Sequence, residues 1–183
     1  MKKTGLITTL FLIAYTMGYT QVFETFEGEN GKYGLKDKKG KIITQPKYDN
    51  FYYTLDDGLD FSENEGLVAF QLNGKWGFIN KSGEEVIPFK YELVSYFIEG
   101  FAKVSLGGKS GFIDSAGTEI IPLKYDNALF DMDVGGGDDT DFFTEGFAKV
   151  QLGGKWGFID TAGNEVIPLK YDQVMAFADG ISR

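Results

Sequence analysis

Apolar and polar residues alternate along short stretches of this chain, and these stretches recur. In the last of them, Ala148, Val150 and Leu152 occupy every second position, which is the pattern of a strand with one buried face. Gly153-Gly154 follows, a pair that favours a type I′ hairpin because both of its positions need a positive φ. The pattern predicts that the chain reverses direction here.

The second predicted strand of this unit starts at Lys155 and can be covered on both faces. Trp156 and Phe158 lie on one face, and Ile159 lies on the other. An Asp three residues before a Gly, at positions 160 and 163, then predicts a type I turn followed by a left-handed residue.

A third strand is predicted over residues 165–167. It should end at Pro168, because proline has no N–H to donate to a β-ladder. The unit as a whole is therefore predicted to be a three-stranded antiparallel meander.

The unit is repeated along the chain as a 19-residue phrase, which in its last copy reads GKWGFIDTAGNEVIPLKYD. The four copies begin at Gly31, Gly74, Gly108 and Gly154. The starts are 43, 34 and 46 residues apart, which indicates a 34-residue period with insertions of 9 and 12 residues. A shorter phrase, EGFAKVQLG in the last copy, precedes three of them, and the final residues DGISR resemble the start of a further copy.

These observations predict an all-β chain of tandem three-stranded antiparallel meander repeats, stacked as an open solenoid or a propeller-like array. No window of 11 or more residues after position 20 has helical apolar spacing. One unit is too small to bury its own aromatic face, so adjacent copies must cover one another. A fragment of a longer array and a ring closed by residues near 23–26 both remain open alternatives.

The phrase GKWGFID, followed by Gly, VIP and KYD, resembles the signature of the bacterial WG repeat family, also called KWG repeats. The resemblance covers nearly all of residues 21–183. It implies a β-rich repeat array that binds rather than catalyses, and it supplies neither catalytic residues nor a ligand.

Three positions depart from that signature. Tyr33 and Ser110 replace the tryptophan, and Thr44-Gln45 displaces the usual isoleucine before Pro46. Ser110 is the sharper change, because the loss of an aromatic ring should leave a smaller core or a cavity in that copy.

Residues 1–20 have the pattern of a signal peptide, with cleavage before Gln21. Lys2 and Lys3 precede an apolar stretch over residues 6–15, and small residues follow it. The stretch is shorter than the roughly 20 apolar residues that a membrane-spanning helix needs, and the chain has no Cys to carry a lipid. We therefore predict a leader over 1–20, a repeat domain over 21–183, and a periplasmic or extracellular location.

Composition excludes several functions. Without the leader, 16 Lys and Arg oppose 27 Asp and Glu, for a net charge of −11, so nucleic acid and anionic membranes are not expected partners. The chain has no His and no Cys, which removes imidazole and thiol catalysis and the common zinc sites. No catalytic residue, cofactor-binding residue or metal ligand is predicted, and paired carboxylates remain the one catalytic alternative.

The first insertion, residues 50–61, combines Phe51, Tyr52 and Tyr53 with three Asp residues. Exposed aromatic rings beside acids can form a platform for sugars or a groove for a peptide. The structural alternative is that alternate rings cover the edge of the first repeat.

The second insertion contains the acidic segment 131–141. A calcium loop needs oxygen ligands at its positions 5 and 12, but Gly135 and Phe142 stand there. We predict a solvated loop rather than a calcium site.

Each copy ends in Lys-Tyr followed by an acid. That acid is Asp49, Glu92, Asp126 or Asp172. Its recurrence predicts a hydrogen bond or ion pair that closes each unit, with a structural role.

Together these observations predict an exported, non-catalytic interaction module that binds a protein, peptide or glycan of the cell envelope. The alternative is a carbohydrate-active enzyme that uses two carboxylates.

Overall fold

The computed structural model describes residues 23–51, 61, 65–126 and 142–174, and the backbone of 177–178 and 181–182. Strands joined by turns make up these ranges, with no helix among them, so the all-β prediction is confirmed. Within them no helical segment could cross a bilayer. The predicted leader and the acidic segment 131–141 lie outside the described residues.

The strands form four antiparallel sheets and one final hairpin, each made of consecutive strands. The first sheet contains β1 (Phe23–Glu27), β2 (Tyr33–Asp37) and β3 (Ile42–Tyr48). The second contains β4 (Asn50–Phe51), β5 (Leu67–Leu72), β6 (Lys75–Asn80) and β7 (Glu85–Tyr91). The third contains β8 (Leu93–Val94), β9 (Ala102–Leu106), β10 (Lys109–Ile113) and β11 (Glu119–Asp126). The fourth contains β12 (Phe143–Thr144), β13 (Phe147–Leu152), β14 (Lys155–Asp160) and β15 (Glu165–Tyr171), and the hairpin pairs β16 (Phe177–Ala178) with β17 (Ile181–Ser182).

The predicted meander is present in every copy, and the second, third and fourth sheets add a short strand at one edge. In the second and third sheets this extra strand starts one residue after the preceding sheet ends, since only Asp49 separates β3 from β4 and only Glu92 separates β7 from β8. Consecutive sheets are therefore neighbours in space. β1 pairs with β2 inside the first sheet, and in the described part of the chain no strand of the last copy pairs with residues 23–26.

The hairpin and turn chemistry follows the sequence prediction. Gly153 and Gly154 have φ values of 61° and 76°, and Asn73 has a φ of 53° at the corresponding place in the second copy. In the following turn, the N–H of Gly163 donates to the carbonyl of Asp160 at 2.9 Å. Both features depend only on residues close in sequence, which explains why the sequence predicts them.

The third strand does not end before Pro168, as the sequence predicted, but continues to Tyr171. Phe158 lies opposite Ile167, whereas Trp156 lies opposite Tyr171. An advance of four residues along β15 therefore corresponds to an advance of two residues along β14. This irregular register is a β-bulge. Proline is accommodated because its position in the bulge needs no ladder donor.

This bulge explains the glycine after each signature aromatic residue. A Cβ on Gly157 would lie 2.4 Å from the carbonyl oxygen of Ile167, and one on Gly77 would lie 2.6 Å from that of Ile87. Gly34 and Gly111 have equivalent close contacts with their own third strands. The glycine recurs because another backbone lies where a side chain would begin.

Three hydrophobic cores lie between successive sheets. The first core contains Phe23, Leu35, Tyr48, Phe61, Val68, Phe70 and Ile79. The second contains Leu67, Ala69, Trp76, Phe78, Ile87, Tyr91, Val94, Phe97, Ala102, Val104 and Ile113. The third contains Phe112, Ile121, Tyr125, Phe143, Ala148, Val150 and Ile159. The prediction that neighbouring copies bury each other's apolar faces is confirmed.

Each middle copy therefore has two apolar faces. We call the face toward the preceding copy the leading face; in the second copy it contains Val68 and Ile79. We call the opposite one the trailing face; there it contains Trp76, Ile87 and Tyr91. The corresponding trailing residues of the other copies follow from the repeat alignment.

Ser110 stands at the signature tryptophan position of the third copy and is buried. Its hydroxyl donates to the carbonyl oxygen of Asp126 at 3.1 Å. Ser105 lies opposite it, where Gln71 and Gln151 lie opposite the two tryptophans. A smaller core or a cavity at this position stays a prediction.

Candidate functional site

The acid that ends each copy pairs with the lysine that begins the same copy, as the sequence predicted. Lys109 Nζ lies 2.8 Å from Asp126 Oδ1, and Lys75 Nζ lies 3.6 Å from Glu92 Oε1. The other two pairs join Lys32 to Asp49 and Lys155 to Asp172.

The same acids also bind the hairpin of the next copy, which the sequence analysis missed. Asp126 Oδ2 accepts a hydrogen bond from the N–H of Gly154 at 3.1 Å. Asp49 accepts one from Gly74 at 3.2 Å, and Glu92 accepts one from Gly108 at 3.4 Å. The recurrence of acid and hairpin was the available signal, but the contact joins different copies and so depends on how the sheets stack. We call these three acids the inter-repeat carboxylates.

These contacts favour the charged form of the acids. The hydrogen bond from Lys109, followed by that from the Gly154 N–H, holds the pKa of Asp126 below its usual value. For Glu92 the N–H of Gly108 is the largest cause of a lowered pKa. Because Glu92 is exposed and Asp49 and Asp126 are only half-buried, each contact contributes modestly.

We expect the inter-repeat carboxylates to make stability depend on acid pH. A carboxyl group whose pKa is lowered by folding stabilises the protein above its unfolded pKa, about 4, and this stabilisation is lost as the pH falls through the lower folded value. The triple variant Asp49→Asn, Glu92→Gln, Asp126→Asn should show a shallower loss of thermal stability as the pH falls below about 4.

Thermal unfolding followed by circular dichroism across this range measures the effect. Asp172→Asn is the matched control, because among the described residues Asp172 has Lys155 as its partner and no hairpin N–H. An unchanged pH slope in the triple variant would contradict the assigned role.

The trailing face of the fourth copy differs from the three that precede it. Tyr171 is 42% exposed, whereas Tyr48, Tyr91 and Tyr125 are at most 1% exposed. Trp156 and Ile167 are half-buried, although their counterparts in the second copy are buried. We call the surface formed by Trp156, Ile167 and Tyr171 the end face.

Asp172 lies at the edge of the end face and is the counterpart of the inter-repeat carboxylates. Its side chain is 91% exposed and contacts Lys155. The pKa of Asp172 is lowered by Lys155, and in the described part of the chain no hairpin N–H reaches it. Within the described ranges, the end face thus combines exposed apolar side chains with an acid whose one partner is Lys155.

The opposite end of the array is polar. Glu24 and Lys36 form an ion pair at 3.1 Å and stand opposite each other on β1 and β2. The corresponding cross-strand pairs of the later copies are apolar: Val68 with Ile79, Ala102 with Ile113, and Ala148 with Ile159. We call Glu24 and Lys36 the capping pair, because they replace an apolar leading face with charge.

The ends of the first insertion join the first core. Phe61 is buried and its ring lies 4.8 Å from that of Phe23, and the ring of Phe51 packs edge-on against Tyr33 at 5.0 Å. These contacts agree with the structural interpretation for the two ends, while Tyr52 and Tyr53 lie outside the described residues. Across the described ranges, no cluster of acidic side chains could hold a metal ion.

Comparison with known proteins identifies the repeats. A family model described as WG containing repeat matches residues 33–76, 76–109, 111–131, 138–156 and 156–183. Matches 33–76, 76–109 and 156–183 start at a signature aromatic position, whereas 111–131 and 138–156 lie on either side of residues 132–137 within a single unit. No curated protein and no solved structure matches the chain.

Proposed function

Because the chain belongs to the family of WG containing repeats, we propose that it is an exported interaction module that binds a protein, peptide or glycan of the cell envelope. One observation supports the non-catalytic part of this proposal: the side chains that recur in every copy stabilise the fold. The aromatic residues fill the cores, and the recurring acids join adjacent copies.

The binding part of the proposal rests on the insertions between the repeated phrases. Insertions in a repeat array can vary without disturbing the stacked core, and so they commonly carry the ligand surface. The first insertion starts and ends in the first core through Phe51 and Phe61. The two ends of the insertion are thereby held in the first core, next to Tyr52 in the sequence.

Replacing both Tyr52 and Tyr53 with alanine tests this surface. We expect the variant to lose the partners that the unaltered protein retains from envelope extract, while its melting temperature falls by less than about 4 °C, as suits a change near 1 kcal/mol in a domain of this size. Pull-down with quantitative mass spectrometry and thermal unfolding are the two measurements.

Tyr96→Ala is the matched control, since Tyr96 is an exposed tyrosine outside the insertion. A large drop in melting temperature for the double variant would instead assign both tyrosines to the core. Turnover of chromogenic glycosides by the purified protein would replace the binding module with the carbohydrate-active enzyme.

A further inference from the structure

Three neighbouring strands of the third sheet carry a row of hydroxyl groups. Ser105 on β9 and Tyr125 on β11 each stand directly opposite Ser110 on β10. Residues that are opposite each other in an antiparallel sheet point to the same face, and Tyr125 belongs to the third core. All three residues are at most 2% exposed. The row therefore lies on the trailing face of the third copy, away from solvent.

These hydroxyl groups have unused hydrogen-bonding capacity. Within the described part of the chain, neither Ser105 Oγ nor Tyr125 OH has a hydrogen-bond partner. Ser110 Oγ donates to the carbonyl oxygen of Asp126 at 3.1 Å, which leaves its lone pairs able to accept. Buried hydroxyl groups in native proteins are nearly always bonded, either to other protein groups or to ordered water. The row thus has the chemistry of a site for a small polar molecule.

The corresponding row of the second sheet has larger side chains. Its members are Gln71, Trp76 and Tyr91. The hydroxyl of Tyr91 is also unpaired, so the tyrosine is common to both rows and the two serines distinguish the third sheet. Two serine side chains in place of an amide and an indole remove far more volume than one water molecule occupies, roughly 30 Å³ in the liquid. The residue types of the third row therefore favour room as well as polarity.

We propose that the row formed by Ser105, Ser110 and Tyr125 binds an internal water molecule between the third and fourth sheets. Each of the three hydroxyl groups can donate or accept a hydrogen bond, and about three partners are usual for a buried water. The water takes part of the space that the signature tryptophan fills in the second copy. This site goes beyond the proposed function, because it lies inside a junction and needs no external partner.

Magnetic relaxation dispersion of the water signal, which counts internal waters that exchange slowly, tests the site in the full chain. The double variant Ser105→Gln, Ser110→Trp takes the residues of the second row, Gln71 and Trp76. We expect this variant to lose at least one slowly exchanging water. Leu106→Gln is the matched control, because Leu106 is adjacent to the row but exposed, and it should keep the full count.

The variant Ser105→Ala gives a second test without any added bulk. Alanine removes one partner of the bound water, so we expect the melting temperature to fall by about 2–4 °C. If the Ser105 hydroxyl instead had no partner at all, its removal would relieve an unsatisfied buried group and raise the melting temperature. Thermal unfolding followed by circular dichroism measures the sign, and Ser82→Ala, at an exposed serine, should leave the melting temperature unchanged.

An unchanged water count in a folded Ser105→Gln, Ser110→Trp protein would overturn the proposal, as would a higher melting temperature for Ser105→Ala. A crystal structure with a protein side chain bonded to Ser105 Oγ would overturn it as well. None of these results depends on envelope partners or on the Tyr52 and Tyr53 variant. The water site and the proposed function can therefore fail separately.

Discussion

Replacing Gly111 with alanine is expected to lower the free energy of unfolding by about 3 kcal/mol or more. The added Cβ would lie 2.4 Å from the carbonyl oxygen of Ile121 and 2.8 Å from that of Pro122. Overpacking typically costs about 1–3 kcal/mol, and the obstacle here is backbone in a bulge rather than the end of a flexible side chain. Denaturant unfolding of the variant measures the loss.

Gly107→Asn in the same copy is the matched control. Gly107 has a φ of 62° with nothing within 4 Å of a Cβ, and the second copy has Asn73 at the equivalent hairpin position. We expect a change within about 0.5 kcal/mol, as for other compatible surface substitutions. If Gly111→Ala proved as stable as Gly107→Asn, the explanation of the recurring glycine would be wrong.

Replacing Phe112 with alanine is expected to cost about 3–5 kcal/mol, the range for a fully buried phenylalanine. Phe112 is 2% exposed in the third core, and its ring packs edge-on against Phe143 at 4.8 Å. Because this core is shared between two sheets, β13 and β14 should lose hydrogen-exchange protection together with β10 and β11. Each repeat is stabilised by its neighbours, so damage to one junction weakens both sides.

Leu152→Ala provides the comparison, since Leu152 is 39% exposed at the end of β13. Its change in unfolding free energy should stay within about 0.5 kcal/mol. Loss of protection confined to the third sheet in Phe112→Ala would show that the copies fold independently, which contradicts the shared core.

The first and fourth copies differ from the copies between them. Internal junctions repeat one arrangement of apolar face, turn glycine and inter-repeat carboxylate, whereas the first copy replaces the apolar pair with Glu24 and Lys36. In the fourth copy Tyr171 is exposed, and among the described residues Asp172 contacts Lys155.

The sequence alone determined the strands, the Gly153-Gly154 hairpin and the turn from Asp160 to Gly163, because each is decided by residues a few positions apart. It also determined that copies must stack, since the aromatic content of one unit exceeds what that unit can bury. It did not reveal that β15 passes Pro168 through a bulge, because the bulge depends on the register between two strands.

Only the tertiary structure showed that glycine follows the signature aromatic residue to admit a neighbouring backbone. It also showed that Asp126 reaches the next copy and that Tyr171 stays exposed where Tyr125 is buried. These contacts join residues that are distant in the chain, and identical phrases cannot distinguish a covered copy from an uncovered one. The repeated phrase specifies which residues each copy offers to its neighbour. The position of a copy in the array decides whether another copy covers those residues.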